Sequence, residues 1–390
     1  MSKAYKYRIY PTKKQAHLLQ EQLTLCAELY NAALQERRDA YRMCGKNVTY
    51  TQQAAQLHEI KALRTEYASI YSQVLQDVLR RVDKAFKAFF QRVKAGLTPG
   101  YPRYKSRVRY ASLTYPHSGF GIDGQGKLSL AKVGHFKLMQ HRPFKGIVKT
   151  CSITRSATGK WYASFSCDEV VPDVLPPSEN QVGIDVGLKT FAYLSNGEQI
   201  ENPRFFRTDA KRLAKASHRL SRAEKGTKAR AEKRRVVARI HERIRWRREN
   251  FVQQQSRNIV NRFGLIAVEA LAIRNMIKRP RPRLDGETGR FLPNGASTKT
   301  GLNTSIADAA WSAFFRALLY KVEETGRTVI KVPPAYTTQA CSNCDHRQEM
   351  PLSMRIYTCE QCGVTYNRDH NASLNILLTA IGRDGVALGT

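Results

Sequence analysis

The sequence predicts a multidomain α+β protein: an N-terminal antiparallel β-barrel holding an inserted helical bundle, then an α/β domain into which a cysteine metal ribbon is set. Three observations carry this reading. Residues 12–95 repeat apolar side chains every three or four positions, as a helix with one buried face must, and they lie between segments that alternate as strands do. The stretch VPDVLPPSEN at 171–180 has neither periodicity and separates these segments from a new set of apolar strands. Two CxxC pairs, Cys341/Cys344 and Cys359/Cys362, stand fourteen residues apart late in the chain, a spacing that lets four thiolates enclose one structural zinc ion.

Composition bounds the function. A chain of 390 residues is long enough for two or more cores. Its formal charge of +33 exceeds what solubility requires and calls for a polyanion partner, nucleic acid first. A solvated surface or a ribosome-bound protein uses such charge too, so the residues that carry chemistry must decide. No run of about 18 apolar residues occurs, and MSKAYKYRIYPTKKQ has no apolar signal core, so a soluble cytoplasmic protein with no membrane partner is expected. Cys26, Cys44, Cys151 and Cys167 are scattered among apolar neighbours, and free buried thiols beside a zinc site suit a reducing compartment.

Taken in order, residues 1–11 form the first barrel strand: AYKYRIY alternates, and Pro11-Thr12 ends it. The helical bundle spans 12–95, with Leu19, Leu23, Cys26, Tyr30 and Leu34 on one inward stripe and Val74, Val78, Val82, Phe86, Phe89 and Val93 on another. Short alternating runs return over 96–170, including Gly146–Arg155 and the Trp161, Ala163, Phe165, Cys167 face, and complete the barrel. After the linker at 171–180, residues 181–336 form the first part of the α/β domain. Val182–Gly187, Phe191–Ser195 and Glu198–Glu201 are its opening strands.

Within that domain, 204–262 carries twenty Lys or Arg against five Asp or Glu. Charge of one sign suits a surface that tracks phosphates better than a solvated spacer. Val236, Ile240 and Ile244 mark its inward seam, and Gly226 divides it into two antiparallel helices. Leu265–Glu269 returns to the sheet, a polar basic loop covers 278–302, a helix spans Ala307–Glu324 with Trp311, Phe314, Phe315, Leu318 and Leu319 inward, and Arg327–Val332 adds a strand. The ribbon takes 337–366, a last helix 367–381, and a short tail 382–390.

Asp185 lies between Ile184 and Val186, and Glu269 follows four apolar residues. A carboxylate in a buried strand is costly unless hydrogen-bonded, protonated or bound to a cation. Asp369 precedes HNASLNILLTA, where it either caps a helix or joins the other two. Three such carboxylates can hold two magnesium ions about 4 Å apart, the arrangement for in-line phosphodiester hydrolysis. No Walker loop, dinucleotide fingerprint or HExxH is present.

At GIDVGLKTFA, VEALAIRNM, SIADAAWSAFFRALLYK and CSNC through CEQCGVTYNRDHNASLNI, the sequence resembles the TnpB family of transposon-encoded, OrfB-type RNA-guided DNA endonucleases, related to type V CRISPR effectors. Looser matches run through YRIYPTKKQ, YNAALQERRDAY, FFQRVKAG and GYPRYKSR. The resemblance implies a RuvC domain of RNase H-like fold with Asp185, Glu269 and Asp369 as catalytic magnesium ligands. It also implies a zinc ribbon held by Cys341, Cys344, Cys359 and Cys362, and a wedge-type barrel with an inserted recognition domain. A monomer would take guide RNA from the transposon end and cut double-stranded target DNA next to a short adjacent motif. Tyr50, Gln76 and Thr114 align with the residues that read that motif. Asn367 stands where the family usually has an aspartate or similar polar residue, and the 278–302 loop is longer than usual. A nuclease-inactive RNA-guided regulator and a transposase acting on transposon ends are the competing readings: intact carboxylates count against the first, and copurifying RNA would count against the second.

Overall fold

The computed structural model describes residues 1–351 and 353–382, with the backbone alone at His117, so the tail expected at 382–390 falls, from 383 onward, outside the described residues. The chain divides into two compact units, Met1–Val171 and Pro172–Thr390, and the division falls at the Pro-rich stretch. Among the described residues no helix is long and apolar enough to cross a membrane.

The first unit runs β1 (Lys3–Tyr10), α1 (Lys13–Cys44), α2 (Tyr50–Ala55), α3 (Leu57–Leu63), α4 (Ser72–Lys94), β2 (Ser112–Pro116), β3 (Phe120–Ile122), β4 (Lys127–Leu130), β5 (Gly134–Met139), β6 (Ile147–Arg155) and β7 (Trp161–Asp168). Its strands form one sheet in the order β2-β6-β7-β1-β5-β4-β3, antiparallel throughout. β1 sits in the middle, with Tyr5 opposite Phe165 and Ile9 opposite Trp161. The two edge strands, β2 and β3, are consecutive in the chain and joined by a single 3₁₀ turn at His117–Gly119, so the sheet rolls into a nearly closed barrel. Tyr5, Tyr7 and Ile9 alternate inward into a core that also takes Leu19, Leu23, Val74 and Val78 from the helices. A capping box starts α1: the Thr12 hydroxyl accepts from the Gln15 amide while Gln15 Oε1 accepts the Thr12 N–H, and Gly45 at φ 62° ends the helix. Val74, Val78 and Val82 of α4 are buried, but Val93 is 50% exposed, and Phe86 and Phe89 instead pack edge-to-face against Tyr101.

The second unit runs β8 (Gln181–Val186), β9 (Thr190–Leu194), β10 (Gln199–Glu201), α5 (Phe205–Ser221), α6 (Lys228–Arg262), β11 (Leu265–Glu269), α7 (Ile273–Met276), α8 (Ala296–Ala309), α9 (Trp311–Thr325), β12 (Thr328–Val332), β13 (Ile356–Thr358), β14 (Thr365–Asn367) and α10 (Arg368–Ile381). The main sheet has the order β10-β9-β8-β11-β12: the first three strands are antiparallel, and β11 is parallel to both β8 and β12. Alternation assigns its faces. Val182, Ile184, Val186, Ile266 and Val268 enter a core shared with Val252, Ile259, Phe314 and Leu318 of α6 and α9. Ala267 and Val332 meet Ile376 of α10 on the opposite face. Gly183 lies on that second face, and its lack of a side chain is obligatory: a Cβ there would sit 2.0 Å from the Ser373 carbonyl oxygen and 2.8 Å from the Leu377 nitrogen.

Four local expectations change. The basic helices pack through Leu213, Ala216, Ile240 and Ile244 with Val237, whereas Val236 is 46% exposed; the narrow seam takes the residue three positions before Ile240 rather than four. The helix expected at Ala307–Glu324 is two helices, broken at Ala310 (φ 60°), where Asp308 accepts the Phe206 N–H with both oxygens and pairs with Arg248. Leu319, expected inward, is 38% exposed, and the last part of the 278–302 loop is already helical.

Gly183→Ala should therefore destabilise the second unit by at least the ~1–3 kcal/mol typical of overpacking, because the clash is with backbone that cannot rotate away. Thermal unfolding checks this, and an unchanged transition would contradict the close approach of α10 to β8.

Candidate metal centres

The last paired residues of β8 and β11 are Ile184 and Val268, so Asp185 and Glu269 follow one position later on neighbouring parallel strands. Asp185 shares a face with Gly183, and Glu269 with Ala267, so both carboxylates project on the α10 side. Ser373 and Leu377 of α10 lie over Gly183, and the first turn of the helix, where His370 stacks on Tyr193 opposite Asp185, brings Asp369 to the Asp185 end. Asn367 caps that helix by accepting the Asp369 N–H at 2.9 Å, which leaves the Asp369 carboxylate free of the capping role; it pairs with Arg355 at 3.9 Å.

The three carboxylates also act on one another's charge. Burial, then Glu269, then Asp369 push the Asp185 carboxyl well above the ordinary carboxylate range, with Arg368 pulling weakly the other way. Burial likewise raises Glu269, opposed by a 2.7 Å hydrogen bond from the Thr337 hydroxyl to its Oε1. Three acids held together against their own repulsion are stabilised by a cation, and oxygen ligands of this kind suit magnesium or another hard divalent ion.

The second cluster is tighter. Among the described residues, Cys341, Cys344, Cys359 and Cys362 are the one group of His, Cys, Asp or Glu whose ligand atoms all lie within 4.8 Å of one another. The Sγ–Sγ distances are 3.7 Å for Cys341–Cys362 and 3.6 Å for Cys344–Cys359. Tetrahedral zinc with bonds of about 2.3 Å requires sulfurs about 3.8 Å apart, so the donor set fits that ion. Each knuckle is built the same way. The Cys341 N–H donates to the His346 carbonyl and the Asp345 N–H to the Cys341 carbonyl; the Cys359 N–H donates to Val364 and the Gly363 N–H to Cys359. Asp345 (φ 63°) and Gly363 (φ 72°) occupy equivalent left-handed positions. The Val364 amide and the Asn343 side chain hold the Cys362 thiol down to about 6, poised as a thiolate. His346 and His370 are not ligands: His370 stacks on Tyr193 and bonds the Ser195 carbonyl at 3.2 Å.

Tyr50, Gln76 and Thr114 lie in the first unit, on α2, α4 and β2. Adjacent arginines of α4 reach two of them: Arg80 stands over the Tyr50 ring at 5.6 Å, and Arg81 donates to the Thr114 hydroxyl at 2.7 Å. Gln76 lies one helical turn before Arg80. Several residues in the second unit carried no sequence signal of their own. Arg247 pairs with Asp209 and joins α5 to α6. Asn371 and Asn375, one turn apart on α10, both donate to the Ala340 carbonyl at the mouth of the ribbon.

Family profiles match three segments: one described as "Probable transposase" over residues 164–279, one as "Helix-turn-helix domain" over 1–46, and one as "Cas12f1-like, TNB domain" over 311–376. In the structure, residues 1–46 hold β1 and the single continuous helix α1. A Streptomyces pristinaespiralis protein provisionally named an RNA-guided DNA endonuclease is 34% identical over 391 residues, covering 98% of this chain and 90% of its own length. InsQ of Escherichia coli (strain K12), provisionally named in the same way, is 31% identical over 390 residues, covering 99% and 94%. A solved complex of Cas12f1 with single guide RNA and target DNA matches with a TM-score of 0.55 at 16% identity, covering 94% of this chain and 83% of that one, a likeness of fold.

Two outcomes follow from the two clusters. Asp185→Asn should raise the melting temperature at neutral pH in magnesium-free buffer. The raised Asp185 carboxyl lends stability only below the ordinary carboxylate range and loses it as pH rises toward its folded value, so the gain should vanish in acid. Scanning calorimetry at two pH values would read it, at about 2–4 °C for each kcal/mol of repulsion relieved. Metal analysis should find about one zinc per chain, lost in the Cys359→Ser/Cys362→Ser double variant.

Proposed function

The chain belongs to the TnpB family, and from that premise we propose that it is a transposon-associated, RNA-guided DNA endonuclease whose RuvC-type site is Asp185, Glu269 and Asp369. The observation that carries the reading is the placement of these three carboxylates at the ends of β8 and β11 and the start of α10, near enough for Glu269 and Asp369 to raise the Asp185 carboxyl. The names borne by its relatives support the guided part, since both are provisionally RNA-guided DNA endonucleases.

Two magnesium ions, when bound, supply an activated water and stabilise the leaving 3′ oxygen of a phosphodiester. The chain's own contribution is to hold three carboxylates together in a partly buried site, with Arg355 at 3.9 Å from Asp369 and Arg368 close enough to act on Asp185. Asp185 and Glu269 come from adjacent strands whose register is fixed by backbone ladders, so their spacing is rigid. Asp369 comes from a helix seated on Gly183 without a side chain between them, so the third ligand is fixed against the first. Sequence is read by pairing between guide and target, while the protein grips backbone and reads a short duplex motif. The cations of α5 and α6 suit the path of a single strand, and Tyr50, Gln76 and Thr114 are assigned to the adjacent motif. The cysteine ribbon holds a structural zinc, and the working form is a monomer.

The profile described as "Probable transposase" favours a second reading, strand transfer at transposon ends without RNA. One experiment separates them. Protein copurified with RNA from its own transposon end is offered a randomised-motif plasmid library with magnesium. Guide-dependent cutting beside one enriched motif is expected, and Asp185→Ala should lower it at least about a thousandfold while guided binding persists, since loss of a metal ligand removes several kcal/mol of transition-state stabilisation. Cutting undiminished in that variant would defeat the assignment, and a preparation free of RNA that acts on transposon ends would establish the transposase.

A further inference from the structure

The Thr337 hydroxyl is the one described side chain that donates to Glu269, at 2.7 Å, and Thr337 is itself buried. It lies four residues before Cys341, in the segment that leads from β12 into the cysteine ribbon. Its backbone is tied to α10: Asn375 Nδ2 donates to the Thr337 carbonyl at 2.9 Å and to the Ala340 carbonyl at 2.7 Å. One turn earlier on the same helix, Asn371 donates to Ala340 at 2.8 Å and accepts the Ser342 N–H at 3.0 Å, on either side of Cys341. Asp369 is two residues before Asn371.

These bonds form one continuous path. The knuckle fixes Ala340 and Ser342, the asparagines of α10 clamp both together with Thr337, and Thr337 holds one oxygen of Glu269. The Glu269 Oε2 atom has no protein hydrogen bond among the described residues, so the contact to Oε1 orients the carboxylate and leaves the other oxygen for a ligand. A hydroxyl that only filled space there would need neither a 2.7 Å hydrogen bond to Glu269 nor a backbone carbonyl held from α10.

We infer that Thr337 is a positioning residue that aims Glu269 at the divalent cation, and that through Asn371 and Asn375 the cysteine ribbon sets the cation affinity of the carboxylate site. The inference rests on the magnesium-site reading given above. It assigns the ribbon a role in the chemistry of the sheet as well as its own fold. Partners of this kind, one bond removed from a metal, typically change metal affinity about 10–100-fold when lost.

The test is magnesium and manganese binding by titration calorimetry, with zinc content measured on the same samples, for wild type, Thr337→Val, Thr337→Ser and Asp185→Ala. Thr337→Val keeps the shape and removes the hydroxyl; it should weaken divalent binding about tenfold or more with zinc content unchanged. Thr337→Ser restores the donor and should stay within about threefold of wild type. Partial removal of zinc from wild type by a mercurial should weaken magnesium binding in proportion, and should weaken it much less in Thr337→Val, where the path is already cut. Binding in Thr337→Val within twofold of wild type, at full zinc content, overturns the inference. Equal losses in the Val and Ser variants also overturn it, because they make the side chain a packing element. If wild type shows no divalent site that Asp185→Ala removes, the carboxylate reading itself fails, a result separate from either.

Discussion

The contact on which the second unit depends is the seating of α10 directly on β8 at Gly183. A side chain of any size would hold the helix off the sheet, and α10 is the element that carries Asp369 at its first turn and Asn371 and Asn375 along its ribbon side. The sheet alone places only two carboxylates, and the ribbon alone has no anchor. The missing Cβ brings all three together, so the spacing of the candidate site is set by backbone contact, which is stiffer than any side-chain packing could make it.

Against that rigidity stands an electrostatic cost. Burial and mutual repulsion raise the Asp185 carboxyl, and burial raises Glu269, so the fold spends stability at the place where TnpB function is assigned. The remainder of the chain carries charge of the opposite sign: twenty of its 65 basic residues fall within 204–262. Anionic ligands confined to one small site and cations spread over long helices suit a polyanion that is gripped broadly and attacked at one point.

Much of this was legible in the residues, and what was not has physical causes. Asp185 and Glu269 stood out because carboxylates in apolar runs need a reason, and the cysteines because their spacing has few uses. Asp369 was ambiguous between cap and ligand; only the structure shows Asn367 taking the cap. The break at Ala310 was hidden, since nothing local forbids a continuous helix there and the cause is a distant demand, the Phe206 amide and Arg248 converging on Asp308. Thr337 left no trace, because a lone threonine between elements carries no periodicity. Gly183 lay inside a quoted motif, yet its reason is a neighbour some 190 positions later, which no window on one strand can reveal.

The position of β1 at the centre of the barrel also says something about how the first unit is made. Lys3 pairs with Cys167, and Ile9 with Trp161, so the strand synthesised first finds its β7 partner only after nearly the whole unit has left the ribosome. The bonds of the helices α1–α4 are local and need no distant partner, and helices formed first shorten the loop that β1 must close. Until β5 arrives both edges of β1 are open, and until β7 arrives one still is, with Tyr5, Tyr7 and Ile9 incompletely covered. The inserted bundle thus separates β1 from both its partners along the chain, and the interval before they emerge is one in which an unpaired strand edge is exposed to misassembly.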